Sequence, residues 1–122
     1  MLFYKKKIGN IGESAAADFL KKEKKFKIIE RNYTNFLGEI DIIAKSKNDI
    51  VFVEVKTRTS TDFGYASQAV DYKKQEKIKK IAQIYTKDSY NTSIRFDVVE
   101  VYIDKSTNQI SKINHIENAF GV

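Results

Sequence analysis

Two carboxylates and a lysine stand inside otherwise apolar runs of this 122-residue chain. The first run is Gly38-Glu39-Ile40-Asp41-Ile42-Ile43-Ala44. The second, after a short polar gap, is Ile50-Val51-Phe52-Val53-Glu54-Val55-Lys56-Thr57-Arg58. An ionised carboxylate buried without a partner costs several kcal/mol, so acids on apolar strands imply compensation, and a divalent metal is its simplest source. Side chains on a strand alternate between faces, which puts Ile50, Phe52, Glu54 and Lys56 on one side and Val51, Val53 and Val55 on the other. The linking residues Ser46, Lys47, Asn48 and Asp49 are turn formers. A four-residue hairpin loop pairs Lys45 with Ile50 and sets Asp41 opposite Glu54, whereas a slip of one residue would send them to opposite faces. In that register two like charges face each other across the ladder, an unfavourable arrangement unless a cation lies between them.

Asp41, Glu54 and Lys56 match in order the Asp…(Asp/Glu)-x-Lys signature, and here the chain resembles the PD-(D/E)xK nuclease superfamily, in particular its YraN-like family, itself similar to archaeal Holliday-junction resolvases. The likeness runs through Gly9-Asn10-Ile11-Gly12-Glu13 with Ala16 and Leu20, Arg31-Asn32, Gly38 to Ala44, Val51 to Arg58, Phe63-Gly64, and Arg95-Phe96-Asp97-Val98-Val99. A bare Asp…Glu-x-Lys recurs by chance, but GEIDIIA and FVEVKTR at this separation are specific. Two positions depart from the pattern. Ile40 replaces the proline of the superfamily name, and Lys25 stands where such chains often carry a glycine before the first strand.

The resemblance implies an α/β, restriction-endonuclease-like core and a Mg²⁺- or Mn²⁺-dependent endonuclease acting on DNA, with branched DNA favoured by analogy alone. Mg²⁺ prefers oxygen ligands and keeps several waters, so Asp41, Glu54 and the carbonyl of Val55 suffice to hold it against a phosphate. Lys56 would orient the attacking water or offset charge developing in the transition state; its alternative is a salt bridge that only neutralises Glu54. Glu13, at the margin of a helical apolar stripe, matches the helical glutamate that joins the metal site in the resembling resolvases, and is otherwise a solvated or lysine-paired residue. Arg58, Gln68 and Lys73 are candidate nucleic-acid contacts; Gln68 equally reads as a surface residue. Glu39 is either a peripheral acid or a solvated strand end. Arg95 and Asp97, two apart on one strand, read as a structural ion pair or a DNA contact. Tyr33, Phe36, Phe63 and Tyr65 flank the motif strands, as loop anchors or as rings for unpaired bases. With His115 the only histidine, a histidine-metal or histidine-base scheme has little support.

The elements that must position these groups follow the order α-β-β-β-α-β-β within one domain spanning residues 1–122. Ile8, Ile11, Ala15 and Phe19 predict an amphipathic helix over about Gly9 to Lys24. A short strand is expected at Lys27 to Arg31, a loop at Asn32 to Leu37, then the two motif strands. Phe63 to Val70 reads as a loop or a helical turn. Ile78, Ile81, Ala82 and Tyr85 mark a helix within Asp71 to Thr86. Strands follow at Ser93 to Ile103 and Ile110 to Ile116, separated by a polar turn at Asp104 to Asn108. This order suits a mixed sheet with helices on its faces.

Composition fits the same picture. The chain carries 22 basic and 16 acidic residues, a net charge of +6, with the excess in Lys5 to Lys7, Lys21 to Lys27 and Lys73 to Lys80. Such clusters attract phosphate in a salt-dependent way, or are solvated helix faces. There are no cysteines, which excludes disulfides and thiolate metal sites. No apolar stretch follows the N-terminal lysines and no run of about 18 apolar residues occurs, so a cytoplasmic protein without membrane association is expected. A homodimer would let two sites meet two strands, although no residue here defines an interface. The competing expectation is a noncatalytic nucleic-acid-binding protein that retains the nuclease fold.

Overall fold

Val51, Val53 and Val55 on one side and Phe52 on the other are all buried, so the central motif strand is covered on both faces. The structure, a computed structural model, describes residues 2–59, 70–89 and 92–121, with side chains from residue 6 onward. Its elements are α1 (Leu2–Lys22), β1 (Lys27–Asn35), β2 (Gly38–Ser46), β3 (Asp49–Thr59), α2 (Tyr72–Tyr85), β4 (Ser93–Ile103) and β5 (Ile110–Phe120). The strands form one sheet in the order β1-β2-β3-β4-β5, antiparallel throughout except for the parallel pair β3 and β4. A parallel pair needs a crossover connection, and α2 lies within it. The fold is α/β and restriction-endonuclease-like, in the element order the sequence predicts.

Each face of the sheet carries one helix and one apolar cluster. Ala16, Ala17 and Leu20 of α1 pack on Ile42, Val53, Val55 and Val99, while Ile78, Ile81 and Ala82 of α2 pack on Ile43, Phe52, Phe96 and Val98. Burial at about 25 cal/mol per Å² of apolar surface makes these two layers the main source of stability. No helix among the described residues is long and apolar enough to cross a membrane.

β4 spans the predicted residues, and α2 begins one residue later than predicted because Asp71 is its N-cap, accepting from the Lys74 N–H at 2.8 Å. The edge strands are longer than predicted. β1 runs on to Asn35 through Asn32, whose φ is +55°, and its side chains are exposed or half-buried, so no alternation of polarity marks the extension. β5 continues to Phe120 past an irregularity near Asn118, whose N–H bonds to the Asp97 carboxylate. α1 extends forward through the lysine run, since lysine is a good helix former. Of the predicted connection Phe63 to Val70, only Val70 lies among the described residues.

The glycine absent before β1 leaves a mark. Lys25 has φ +60°, within a reversal closed by the Phe26 N–H donating to the Leu20 carbonyl at 2.9 Å. An L-residue there is strained. Lys25→Gly is expected to stabilise the protein by about 0.5–1 kcal/mol after its larger unfolded-state entropy, raising Tm by about 2–5 °C in a thermal melt.

Candidate functional site

The hairpin of β2 and β3 sets the site. Lys45 pairs with Ile50 as predicted, and the loop is tighter than four residues: Ser46 also pairs with Asp49, with Lys47 turning the chain at φ +54°. The register is unchanged. The ladder runs up to Ile42 with Val53, and beyond that pair the Asp41 carboxylate takes the place of a backbone acceptor, receiving the Val55 N–H on Oδ2 at 2.8 Å. A residue's N–H and C=O point to the same edge of its strand, so the Val55 carbonyl also turns toward this parting of the strands.

Asp41 and Glu54 come together there in one cleft, close enough for a hydrogen bond between the two carboxyls when Glu54 is protonated. Glu54 is 9% exposed, and its pKa is pushed up to about 8 by burial first, then by the Asp41 charge and that hydrogen bond; Lys74 and Lys56 pull weakly the other way. Glu13 reaches toward the same place from α1. Its pKa is raised by partial burial and by the charges of Asp41 and Glu39, against the opposing charge of Arg31. With its amide turned to suit its neighbours, Asn32 donates to Glu13 Oε1 at 2.7 Å and to Glu39 Oε1 at 3.2 Å. Glu39 thus belongs to the acidic cluster, and the unusual backbone of Asn32 places that amide between two acids.

Glu39, Asp41 and Glu54 line a cleft of about 340 Å³ together with Lys74, Lys77, Ile78 and Ile81 of α2. Among the described residues no three Asp, Glu, His or Cys side chains form a ready-made metal cage. The donor set nevertheless suits Mg²⁺ or Mn²⁺, hard cations that need one or two carboxylates and otherwise keep water. Two carboxyls set together in one cleft present oxygen ligands that a divalent cation would hold, displacing the proton that Glu54 keeps.

The remaining predicted residues are scattered. Lys56 is half-buried on the Glu54 face of β3. Arg58, one step further along, donates through Nε to Glu100 Oε2 at 3.1 Å; Glu100 is 1% exposed and also accepts from Asn114 Nδ2 at 3.0 Å, so Arg58 is tied into the sheet. Lys73 lines a neighbouring groove rather than the acidic cleft, and Gln68 lies outside the described residues. Sequence reasoning missed Lys74, whose Nζ stands 3.9 Å from Glu54 Oε2. Its signal was available, since Lys74 precedes Ile78 by four residues and Ile81 by seven, which puts it on the buried stripe of α2. Tyr33 packs edge-on against Tyr85 and is a core ring, whereas Phe36 is 86% exposed; Phe63 and Tyr65 lie outside the described residues.

Arg95 and Asp97 form the structural ion pair, with two bonds of 2.9 Å, on the opposite face from Glu54. Asp97 also contacts His115 Nε2 at 2.8 Å, and the ring is boxed by Phe19 and Phe26. This assembly stands apart from the cleft.

Gly12 fixes how closely α1 approaches β3. A Cβ there would overlap Thr57 Oγ1 and lie 3.1 Å from Thr57 Cβ. Gly12→Ala is therefore expected to push α1 and the neighbouring Glu13 outward at a cost of about 1–3 kcal/mol, measured by urea unfolding. Adding Thr57→Ala should recover most of the loss, since the overlapping hydroxyl is gone.

The fold is that of the PD-(D/E)xK nuclease-like group, with the acidic pair at the parting of its central hairpin. The chain belongs to the family UPF0102, described as an uncharacterised protein family, whose profile matches residues 12–101. It is 52% identical to a UPF0102 protein of Caldanaerobacter subterraneus subsp. tengcongensis, over 95% of this chain and 96% of the relative. It is 48% identical to one of Caldicellulosiruptor saccharolyticus, over 95% and 98% of the two chains. A Clostridium botulinum relative is 46% identical over the full length of both.

Proposed function

We propose that the protein is a Mg²⁺- or Mn²⁺-dependent endonuclease that hydrolyses phosphodiester bonds of DNA, branched DNA included. The observation that carries this reading is the meeting of Asp41 and Glu54 in one cleft, with Lys56 on the same strand face as Glu54. Asp41, Glu54 and the Val55 carbonyl would hold the cation, with Glu13 joining at the margin. Bound there, the cation supplies Lewis-acid polarisation of the phosphoryl group and acidifies a water.

The chain's own residues account for the rest. Lys56 sets a positive charge beside the scissile phosphate, where negative charge grows in the transition state. Lys74 and Lys77 line the cleft from α2 and hold the phosphates on either side, keeping the strand in register with the acids. The noncatalytic alternative needs the lysines but gives no reason for a buried acid and a half-buried one to share a cleft.

The test is cleavage of labelled four-way junction, flap, single strand and duplex in Mg²⁺, Mn²⁺ and EDTA, comparing native protein with Glu54→Gln purified identically. Metal-dependent cutting lost in the variant supports the enzyme. Nucleic-acid binding without cutting under any of these conditions would favour the noncatalytic protein.

A further inference from the structure

Beside the acidic cleft lies a second groove, of about 440 Å³, lined by Leu37, Tyr72, Lys73, Glu76, Lys77 and Lys80. Lys77 borders both, so the two are neighbours along α2. We propose that this groove binds an unpaired segment of nucleic-acid strand leading into the acidic cleft, its bases stacked on Tyr72 and its phosphates on Lys73, Lys77 and Lys80. The inference rests on the nuclease reading for the role of the cleft, and it names the class of substrate: strands with unpaired nucleotides next to the cut.

Three observations carry it. Tyr72, at the start of α2, is 73% exposed, and Phe36, at the tip of the turn beside Leu37, is 86% exposed. Tyr72 lines the groove itself, and Phe36 adjoins Leu37, which lines it too. Second, the cations stand four and three residues apart along the helix, so Lys73, Lys77 and Lys80 form one row beside the rings. The single acid in the lining, Glu76, is engaged by Lys79 at 2.9 Å, which leaves the row positive. Third, the turn is fitted against that row. Gly38 has φ +151°, and a Cβ on it would come within 2.8 Å of Lys77 Cε, so the missing side chain lets the lysine stem lie along the turn. Exposed rings beside a row of cations are what a single strand requires. Every unpaired base has a π-face to stack, while bases inside a duplex are already stacked on one another.

The test is binding of the full-length protein, in EDTA and at low salt, to fluorescent oligo-dT, oligo-rU and a blunt DNA duplex. Native protein is compared with Tyr72→Ala, Tyr72→Phe and Phe36→Ala, all exposed positions whose variants should melt as the native protein does. Tyr72→Ala is expected to weaken single-strand binding about tenfold and duplex binding by less than about twofold. Tyr72→Phe should bind as native, because stacking needs the ring and not the hydroxyl. Equal losses on dT and rU support a groove that reads bases alone, and a loss on one of them names the sugar it prefers. Native single-strand binding unchanged in both Tyr72→Ala and Phe36→Ala, or a loss on duplex equal to that on single strand, would overturn the proposal. Binding in EDTA is independent of cleavage. Base-dependent binding by a protein that cuts nothing keeps the groove and removes the nuclease reading. Metal-dependent cutting of duplex, unaffected by Tyr72→Ala and with no single-strand binding, does the reverse.

Discussion

Glu54→Gln is expected to abolish metal-dependent cleavage, by at least about a thousandfold, while making the protein more stable above neutral pH. The first effect follows from losing a charged oxygen ligand whose contribution to transition-state charge stabilisation is several kcal/mol. The second follows from the pKa of Glu54, about 8 in the folded protein against an ordinary 4.5. Between those values the folded state keeps a proton that the unfolded state has released, so the Glu54 contribution is fully present below about pH 4.5, falls as pH rises, and is lost above about pH 8. By then the penalty amounts to a few kcal/mol. Glutamine has nothing to ionise, so urea midpoints of variant and native protein should agree near pH 4 and diverge steadily toward pH 9, with the variant higher. Mg²⁺ or Mn²⁺ added at pH 9 should close the gap by stabilising the native protein alone. On the proposed function, the residue that serves the chemistry is one the fold alone would be better without. A variant that is inactive but no more stable at pH 9 would mean that Glu54 is ionised at neutral pH, already balanced by Lys74 and Lys56.

Asp97→Ala is expected to destabilise the protein by about 3–5 kcal/mol, a large share of the stability of a domain this size. Asp97 is fully buried and accepts from Arg95 twice, from His115 and from the Asn118 N–H. Removing it strands a buried imidazole and a backbone donor together and leaves Arg95 only its longer, 3.8 Å contact with Asp49. Burial by itself would raise the Asp97 pKa, but the bonds from His115, Arg95 and Asn118 outweigh it, and the pKa lies below the ordinary 3.8. Its stabilisation is therefore present above about pH 3.8 and lost as pH falls through the lower folded value. Native protein should lose this contribution below pH 4, whereas Asp97→Ala should lack it at every pH. Arg95 also stands over the Phe26 ring at 5.5 Å, so the loss extends to the connection between α1 and β1.

The acidic pair was legible because it depends only on local facts: strand alternation and a loop whose register survives its shortening from four residues to two. β4 and α2 were legible for the same reason, each carrying its own periodicity. Residues whose roles depend on distant strands were not. Arg58 faces Glu100 only because β3 and β4 run parallel in a register that nothing in either segment announces. β1 was cut short because a polar edge strand has no buried face to write an alternation into its sequence. Lys73 and Lys74 differ by one position in a lysine-rich helix, and the phase set by Ile78 and Ile81 decides which one meets Glu54.

The lone parallel pairing also orders events in time. The hairpin holding Asp41 and Glu54 closes over two residues, a contact between near neighbours in the chain that forms quickly. β3 then waits for a partner more than forty residues downstream, since Asp49 pairs with Ser93. During synthesis, residues through Thr59 can bring the two carboxylates together before α2 has been made to cover Glu54 or supply Lys74. The acids meet while still in water, and the raised pKa of Glu54 arrives only as the crossover docks and buries it. The slow step of folding is thus also the step that turns Glu54 from an ordinary surface acid into one that keeps its proton.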